Sequence, residues 1–538
     1  MLARYLRARG VGPGKRVALC LLSSPDLIAG VLAILKIGAS FVPLDSANPP
    51  GRLRQIVADA GARAILTETA LRRNVGSIPA DLILVDRAGE GPPGQVQPHI
   101  VRPEDEACVL YTSGSTGTPN GVIRTHRAIV SRLAWTSEDA GEVRCHNMPL
   151  TAGFSQERLF VPLMRGSPLA LAGEESFKDP AKLADDIEAL EVTELTIVPI
   201  MLRRLLELGS GRLGRLTSLR TIVAGGAELP IDLIRSFATL LPDVALVNAY
   251  GSTETGSVIR GGVPLSRSGP VTIGKPLPNV AVYILDENRK RVPEGDVGEL
   301  YVSAPSVTSG YVNRPELTAE RLLRNPFVHS TEWLYRTGDR GRILAAGEIQ
   351  LTGRADRQVK IRGFRVELQE IEAALEKHTA VNEAAVIAVA TKSGARLHAY
   401  VAPQSGVRLT VSGLRSCLAA NLPPHMIPAT FVMLDRLPRG FNGKVDHQNL
   451  PPAPASRPDL DAPYQPPRDS TESAIVEIWE KVLGISGVGV HDHFLELGGD
   501  SLCVVRAALE IHERLGIEIP GDKLIALGTP AAVAERVS

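Results

Sequence analysis

The chain has 538 residues, is 44% hydrophobic, and carries 59 Lys and Arg against 59 Asp and Glu, so its formal net charge is zero. That length allows several domains with buried cores, while the balanced charge excludes nucleic acid or an anionic membrane as the main partner and confines any phosphate chemistry to a local site. Cys20, Cys108, Cys145, Cys417 and Cys503 follow no CxxC or metal spacing, which suits reduced thiols in a cytoplasmic protein.

From the N-terminus, β-rich runs (RVALCLL, SFVPLD, ARAILT, LILVD) alternate with helical patterns (DLIAGVLAILKIG, PGRLRQIVADAG), which predicts a layered α/β domain. The most apolar stretch, VALCLLSSPDLIAGVLAILKIGASFVPL, is broken by Ser-Ser-Pro-Asp at 23–26, and neither half reaches the roughly 20 residues that a membrane span needs. No basic segment with a cleavage site precedes it, so no secretory signal is expected. Next comes YTSGSTGTPNGVIRTHR at 111–127, whose Thr112, Ser113, Gly114, Ser115, Thr116 and Gly117 leave backbone N–H groups uncovered beside hydroxyl donors. Such a loop suits phosphate oxygens. It is not a Walker loop, which would close with Lys-Ser/Thr into a helix, and the apolar flanks ACVLY and GVIRTH speak against a flexible Ser/Gly linker.

The alternation resumes in ELTIVPIMLRRLLELG and LRTIVAGGAEL, then shifts near Asp356 to a smaller α+β pattern: QVKIRGFRVE, LQEIEAALEKH, NEAAVIAVA and LHAYVAP. Leu368, Ile371 and Leu375 share one face of the helix in that segment. The expected divisions are residues 1–355, a large α/β part; 356–450, a small α+β part; 451–468, a Pro-rich linker; and 469–538, an all-α helical bundle. At about 3.1 Å per residue the linker reaches roughly 50 Å.

Four further stretches make the opening loop specific: NAYGSTET (248–255), YRTGD (335–339), GRADRQVKIRGFRVE (353–367) and NGKVD (442–446). With the phosphate loop they resemble, in order and spacing, the adenylate-forming superfamily, above all the adenylation domains of nonribosomal peptide synthetases. GASFVPLD and GELYVSAPSVTSGYVNRPELTAERL look like further motifs of that family. FLELGGDSL at 494–502 resembles the carrier-protein motif whose serine receives a phosphopantetheine arm; the alternative is a Gly-Gly turn with Ser501 capping a helix.

The resemblance implies an acid–carrier protein ligase that adenylates a small carboxylic acid with ATP and Mg2+. The acyl group would then pass to a 4'-phosphopantetheine arm on Ser501 of the chain's own carrier domain, in nonribosomal peptide or related secondary-metabolite biosynthesis. Expected partners are a phosphopantetheinyl transferase and a downstream synthetase or tailoring enzyme, since no condensation domain precedes the ligase. By the same implication the loop from Thr112 to Gly117 holds the β- and γ-phosphates, Tyr250 of the Asn248–Gly251 stretch stacks on adenine with Asn248 near its edge, Thr253 touches the α-phosphate, and Glu254 helps hold Mg2+. Asp339 accepts the ribose hydroxyls with Arg354 nearby, Lys444 brings positive charge to the meeting point of carboxylate and α-phosphate, and Asp356 is the hinge of a mobile C-terminal part.

Three features depart from the family pattern. Asn120 stands where a lysine is usual, and the chain begins in what looks like the interior of the family's first region. Third, the aspartate that pairs with a substrate α-ammonium is replaced by Gly153, or by Ser155 on a two-residue realignment. The implied acid pocket is Gly153, Phe154, Glu157, Thr196, Ile222, Ala224, Ala249, Ser257 and Val258. Without that aspartate it should select against standard α-amino acids. Glu157 suggests an acid with an amino or guanidino group away from the α-carbon, or else a surface salt bridge with an uncharged keto, hydroxy or aryl acid as substrate. An acyl-CoA synthetase-type ligase and a carrier or interaction protein with a degenerate ligase half are the competing readings.

Overall fold

The structure, a computed structural model, describes residues 1–87, 96–114, 117–133, 142–264, 269–328, 332–391, 394–404, 406–407, 409–440 and 444–537, without the side chains of 394, 501, 502, 522 and 537. The chain divides into two compact units, Met1–Ser113 with Pro119–Arg365, and Gly114–Thr118 with Val366–Ser538.

The first unit is built on two seven-stranded sheets. One contains β1 (Arg16–Cys20), β2 (Ser40–Pro43), β3 (Ala64–Thr67), β4 (Asp81–Leu84), β5 (Glu106–Thr112) and β6 (Asn120–Thr125). Its order is Gly310–Tyr311, β6, β5, β2, β1, β3, β4, parallel from β5 to β4. These strands read as unbroken apolar runs because the sheet is buried on both faces; Val17, Ala18, Phe41, Val42, Ala64 and Ile65 are all 0% exposed. The Ser-Ser-Pro-Asp interruption becomes a helix start: the Ser24 hydroxyl accepts the Leu27 N–H and Pro25 opens the helix Pro25–Lys36.

The second sheet contains β7 (Arg144–His146), β8 (Leu169–Leu171), β9 (Glu194–Ile197), β10 (Thr221–Gly225), β11 (Ala245–Ser252) and β12 (Gly256–Gly262). Strands β8, β7, β9, β10 and β11 run parallel, and β12 turns back antiparallel to β11. A smaller antiparallel sheet follows from Ala281–Leu285 to Ile349–Arg354, its core shared with Tyr250, Val258 and Ile259. The carboxyl ends of β5, β9, β10 and β11 all carry expected site residues, where open α/β sheets place ligands.

In the second unit, the helix Leu368–Glu376 and the sheet of Val381–Thr391, Gly394–Pro403 and Thr430–Met433 form an α+β layer; Leu368, Ile371 and Leu375 are buried as their periodicity requires. The helices Ser470–Leu483, Ser501–Leu515, Gly521–Leu527 and Pro530–Val537 form the bundle, with Trp479 set edge-on to Phe494 at 4.8 Å. The Pro-rich segment is not a free tether here. Its Leu460 is buried, the Val411 N–H donates to Asp459, the Tyr400 hydroxyl donates to Pro451, and Arg457 holds Asp492 with two hydrogen bonds of 2.7 and 2.8 Å. Among the described residues no helix is long and apolar enough to cross a membrane, and no group of three or more His, Cys, Asp or Glu could hold a metal ion.

Candidate active site

Strand β11 ends in a turn that only glycine permits: a Cβ on Gly251 would sit 2.1 Å from the Gly256 carbonyl oxygen. The close pass of β12 presents Thr253 and Glu254 at the strand's end. Upstream, the Asn248 side-chain amide donates to the Thr272 carbonyl at 2.9 Å, and the Tyr250 hydroxyl donates to Asp339 Oδ2 at 2.6 Å. Burial, reinforced by the Asp339 charge, pushes the Tyr250 phenol well above its ordinary value, so it stays a donor. Arg354 donates to Asp339 Oδ1 and grips both oxygens of Asp356 at 2.7 and 2.9 Å. Burial works against the Asp356 charge, but Arg354 holds that carboxyl below the usual range. An ionised carboxylate offers about four lone-pair sites, so Asp339 keeps acceptor capacity for hydroxyls.

Glu254 is fully buried. Its Oε1 accepts from the Tyr311 hydroxyl at 2.9 Å and from Arg365 Nη1 at 2.6 Å, while its Oε2 has no hydrogen-bond partner. Burial alone would raise this carboxyl; the Arg365 charge and the Tyr311 hydrogen bond overcome it and hold the group down at about 2. An ionised oxygen without a hydrogen-bond partner is a donor suited to Mg2+, so Glu254 would fit that ion and would supply one carboxylate ligand to it.

The stretch expected to hold phosphate begins at the end of β5, where Thr112 pairs with Asn120 of the antiparallel β6. The Ser113 hydroxyl donates to the Arg365 carbonyl at 2.8 Å, and the Gly114 N–H donates to Glu370 Oε2 at 2.9 Å. A carboxylate oxygen already takes one loop N–H, the service an anion cradle performs. Gly117 has φ +75°, and a Cβ there would lie 2.9 Å from that of Ala373. Ser115 and Thr116 lie outside the described residues. Asn120 is buried, and nothing in the structure explains the absence of a lysine there. Lys444 lies exposed in the second unit, its carbonyl accepting the Gly440 N–H at 2.9 Å; Asn442 and Gly443 lie outside the described residues.

The residues expected to line the acid pocket lie on β9 to β12 and at the start of the helix Ser155–Arg165, with Ile222 and Ala224 packed into the hydrophobic core of that sheet. Thr196, Ile222, Ala224, Ala249, Ser257 and Val258 are all buried. Phe154 packs its ring beside Gly225, and a Cβ on Gly153 would meet Thr253 Cα at an ordinary 3.5 Å. Glu157 requires a correction. It lies on the helix Ser155–Arg165, 5% exposed, and its charge is already answered: Oε1 faces Arg132 at 3.3 Å and Oε2 takes Arg260 Nη2 at 2.6 Å. It neither awaits a substrate cation nor forms a surface bridge. Burial would raise it, but Arg260, Arg132 and Arg158 keep it below the ordinary carboxylate range. Arg132, Arg260, Tyr311 and Arg365 were not among the residues picked from sequence; Arg260 comes three positions after Ser257, and a bulge at Val258 lets it reach the Ser257 hydroxyl.

Ser501 begins the helix Ser501–Leu515, and the capping alternative is corrected as well, because the Asp500 carboxylate accepts the Cys503 N–H at 2.9 Å. Asp500 in turn faces Arg396 at 3.3 Å.

A large α/β unit with a nucleotide-type turn at a strand end, joined to an α+β layer and a helical carrier bundle, defines a ligase-like class of protein. The chain belongs to the AMP-binding enzyme family, whose model matches residues 1–312; the AMP-binding enzyme C-terminal domain matches 370–444 and the phosphopantetheine attachment site 473–537. It is 37% identical over 547 residues to tyrocidine synthase 3 of Brevibacillus parabrevis, covering all of this chain and 8% of that protein's length. An artificially fused adenylation–PCP di-domain nonribosomal peptide synthetase from Klebsiella oxytoca matches at 28% identity and TM-score 0.69, over 80% of this chain and 86% of that one. A holo synthetase with adenylation and PCP domains, bound to a vinylsulfonamide inhibitor, shares the fold at TM-score 0.84 and 22% identity, over 99% and 90% of the two chains. The fold class expected from the sequence, a large α/β part with a smaller α+β part and a helical carrier, is thus the observed one.

Proposed function

We propose that the chain activates a small carboxylic acid with ATP and loads it onto its own carrier. The observation that carries this reading is Glu254: fully buried, ionised, one oxygen unpartnered, on a turn whose Thr253 Cα lies 3.5 Å from where a Cβ on Gly153 would sit. In the first step a carboxylate oxygen of the acid bonds to the α-phosphorus of ATP and pyrophosphate leaves; in the second the acyl carbon bonds to the pantetheine sulfur and AMP leaves with the electron pair. Mg2+, when bound, neutralises phosphate charge. Thr253 meets the α-phosphate, Tyr250 and Asn248 hold the base, Asp339 holds the ribose and the loop from Thr112 to Gly117 the outer phosphates. Lys444 supplies the cation of the first step, and Asp356, steadied by Arg354, is the hinge that exchanges the parts presented in the two steps. Residues 1–355, 356–450, 451–468 and 469–538 serve as large part, mobile part, linker and carrier.

A carrier bundle downstream speaks against a freestanding acyl-CoA synthetase. The ordered pairing around Glu254, Asp339 and Arg354 speaks against a degenerate ligase. ATP–pyrophosphate exchange across amino, keto, hydroxy and aryl acids tests the reading, and acid-dependent exchange by the full chain and by Ser501→Ala is expected. Exchange with no acid of the panel would overturn it.

A further inference from the structure

The acid cradle holds a charge arrangement that the adenylation reading does not use. Arg260 lies on β12 opposite Ala249, its Nε donating to the Ser257 hydroxyl at 3.1 Å and its Nη2 to Glu157 at 2.6 Å, so three expected pocket residues surround it. Its linked neighbourhood contains Arg132, Arg144, Arg158 and Arg260 against Glu142, Glu157 and Glu194, four cations to three anions. Glu157 is shared by Arg132 and Arg260, and Glu194 is taken by Arg158 and Arg144. Arg132, Arg158, Glu157 and Glu194 are buried, and the Arg260 side chain keeps 18% exposure. A guanidinium carries five N–H donors in a planar fork, and the described hydrogen bonds of Arg260 use only Nε and Nη2.

Resting on the adenylation reading, we propose that Arg260 is a specificity-determining residue that receives the far end of the substrate, and that this far end is a second carboxylate. An amine or guanidine there would meet the excess of arginines, and an apolar tail would cover a guanidinium without giving it an acceptor. A carboxylate matches the guanidinium fork and completes the cluster's charge.

ATP–pyrophosphate exchange by the full chain is measured on acids matched by exchanging a terminal methyl for a carboxylate: butanoate with succinate, 2-oxopentanoate with 2-oxoglutarate, 2-aminopentanoate with glutamate. Within at least one pair the dicarboxylate is expected to have at least a tenfold higher kcat/KM. R260M should cut that ratio at least tenfold and R260K less. Because R260M leaves Glu157 with one partner, the paired variant E157Q/R260M, which strands no carboxylate, is measured beside it, and thermal melts check that each variant folds. Preference for the uncharged member of every pair, or a dicarboxylate preference that survives in both R260M and E157Q/R260M, overturns the assignment while leaving adenylation standing. Absence of exchange with any acid overturns adenylation itself and this inference with it.

Discussion

The nucleotide-type cluster and the acid cradle both draw on β11, through Tyr250 and Ala249, yet handle charge in opposite ways. Around Glu254 and Asp339 each carboxylate is held by a hydroxyl and an arginine, and Glu254 keeps one buried oxygen unpartnered, an arrangement suited to a cation. Around Glu157 the arginines outnumber the carboxylates, and Arg260 keeps donors to spare, an arrangement suited to an anion. The first cluster is built from residues inside short motifs, the second from residues scattered along the chain. Chemistry common to a family is written locally; the choice of substrate is written in tertiary contacts.

The largest effect that separates the two regions is expected at Lys444. Lys444→Ala removes a charge worth about 3 to 4 kcal/mol at such sites, so pyrophosphate exchange should fall by roughly two to three orders of magnitude, while thioester formation from a supplied acyl-adenylate holds. Equal loss in both steps in rapid-quench assays would point to misfolding. Glu254→Gln should lower exchange about tenfold to a hundredfold and raise the Mg2+ concentration at half-maximal rate. An unchanged Mg2+ titration contradicts the role given to its unpartnered oxygen. Gly153→Asp acts on the other region alone. The site accepts a Cβ without close contact, and a new carboxylate should shift kcat/KM about tenfold toward α-amino acids over their desamino analogues. No shift between matched pairs would place Gly153 outside the pocket.

The smallest effect is on stability against pH. Glu254 and Glu194 are each held at about 2, below their ordinary 4.5. A carboxyl lowered in the folded state contributes stability that is present above pH 4.5 and lost as pH falls toward 2. Melting temperature should therefore drop through that window, and Glu194→Gln should flatten the drop. Parallel curves for the variant and wild type would contradict the buried pairing.

Strands β1 to β4, β9 and β10 were legible because buried parallel strands read as continuous apolar runs, and the four signature stretches were legible because turns such as Gly251–Gly256 tolerate few residues. Glu157 was misread because its partners are remote, Arg132 lying 25 residues before it and Arg260 lying 103 residues after. Local reasoning sees a lone carboxylate on a helix and cannot see the cations that fold onto it. The Pro-rich segment misled for a similar reason: composition announces extension, whereas Leu460 and Arg457 anchor it through contacts that composition does not report. At the carrier, Asp500 rather than Ser501 takes the helix cap, a choice between adjacent good caps that sequence leaves open.

The account's central claim is that one chain both activates an acid and receives it. Its most direct test is the intact mass of the full chain, first modified by a phosphopantetheinyl transferase and then incubated with ATP and an acid that supports exchange. The account predicts one acyl increment on the carrier, dependent on ATP, absent from Ser501→Ala although that variant still exchanges pyrophosphate. An increment that persists in Ser501→Ala, or exchange by the modified chain without any increment, would contradict it.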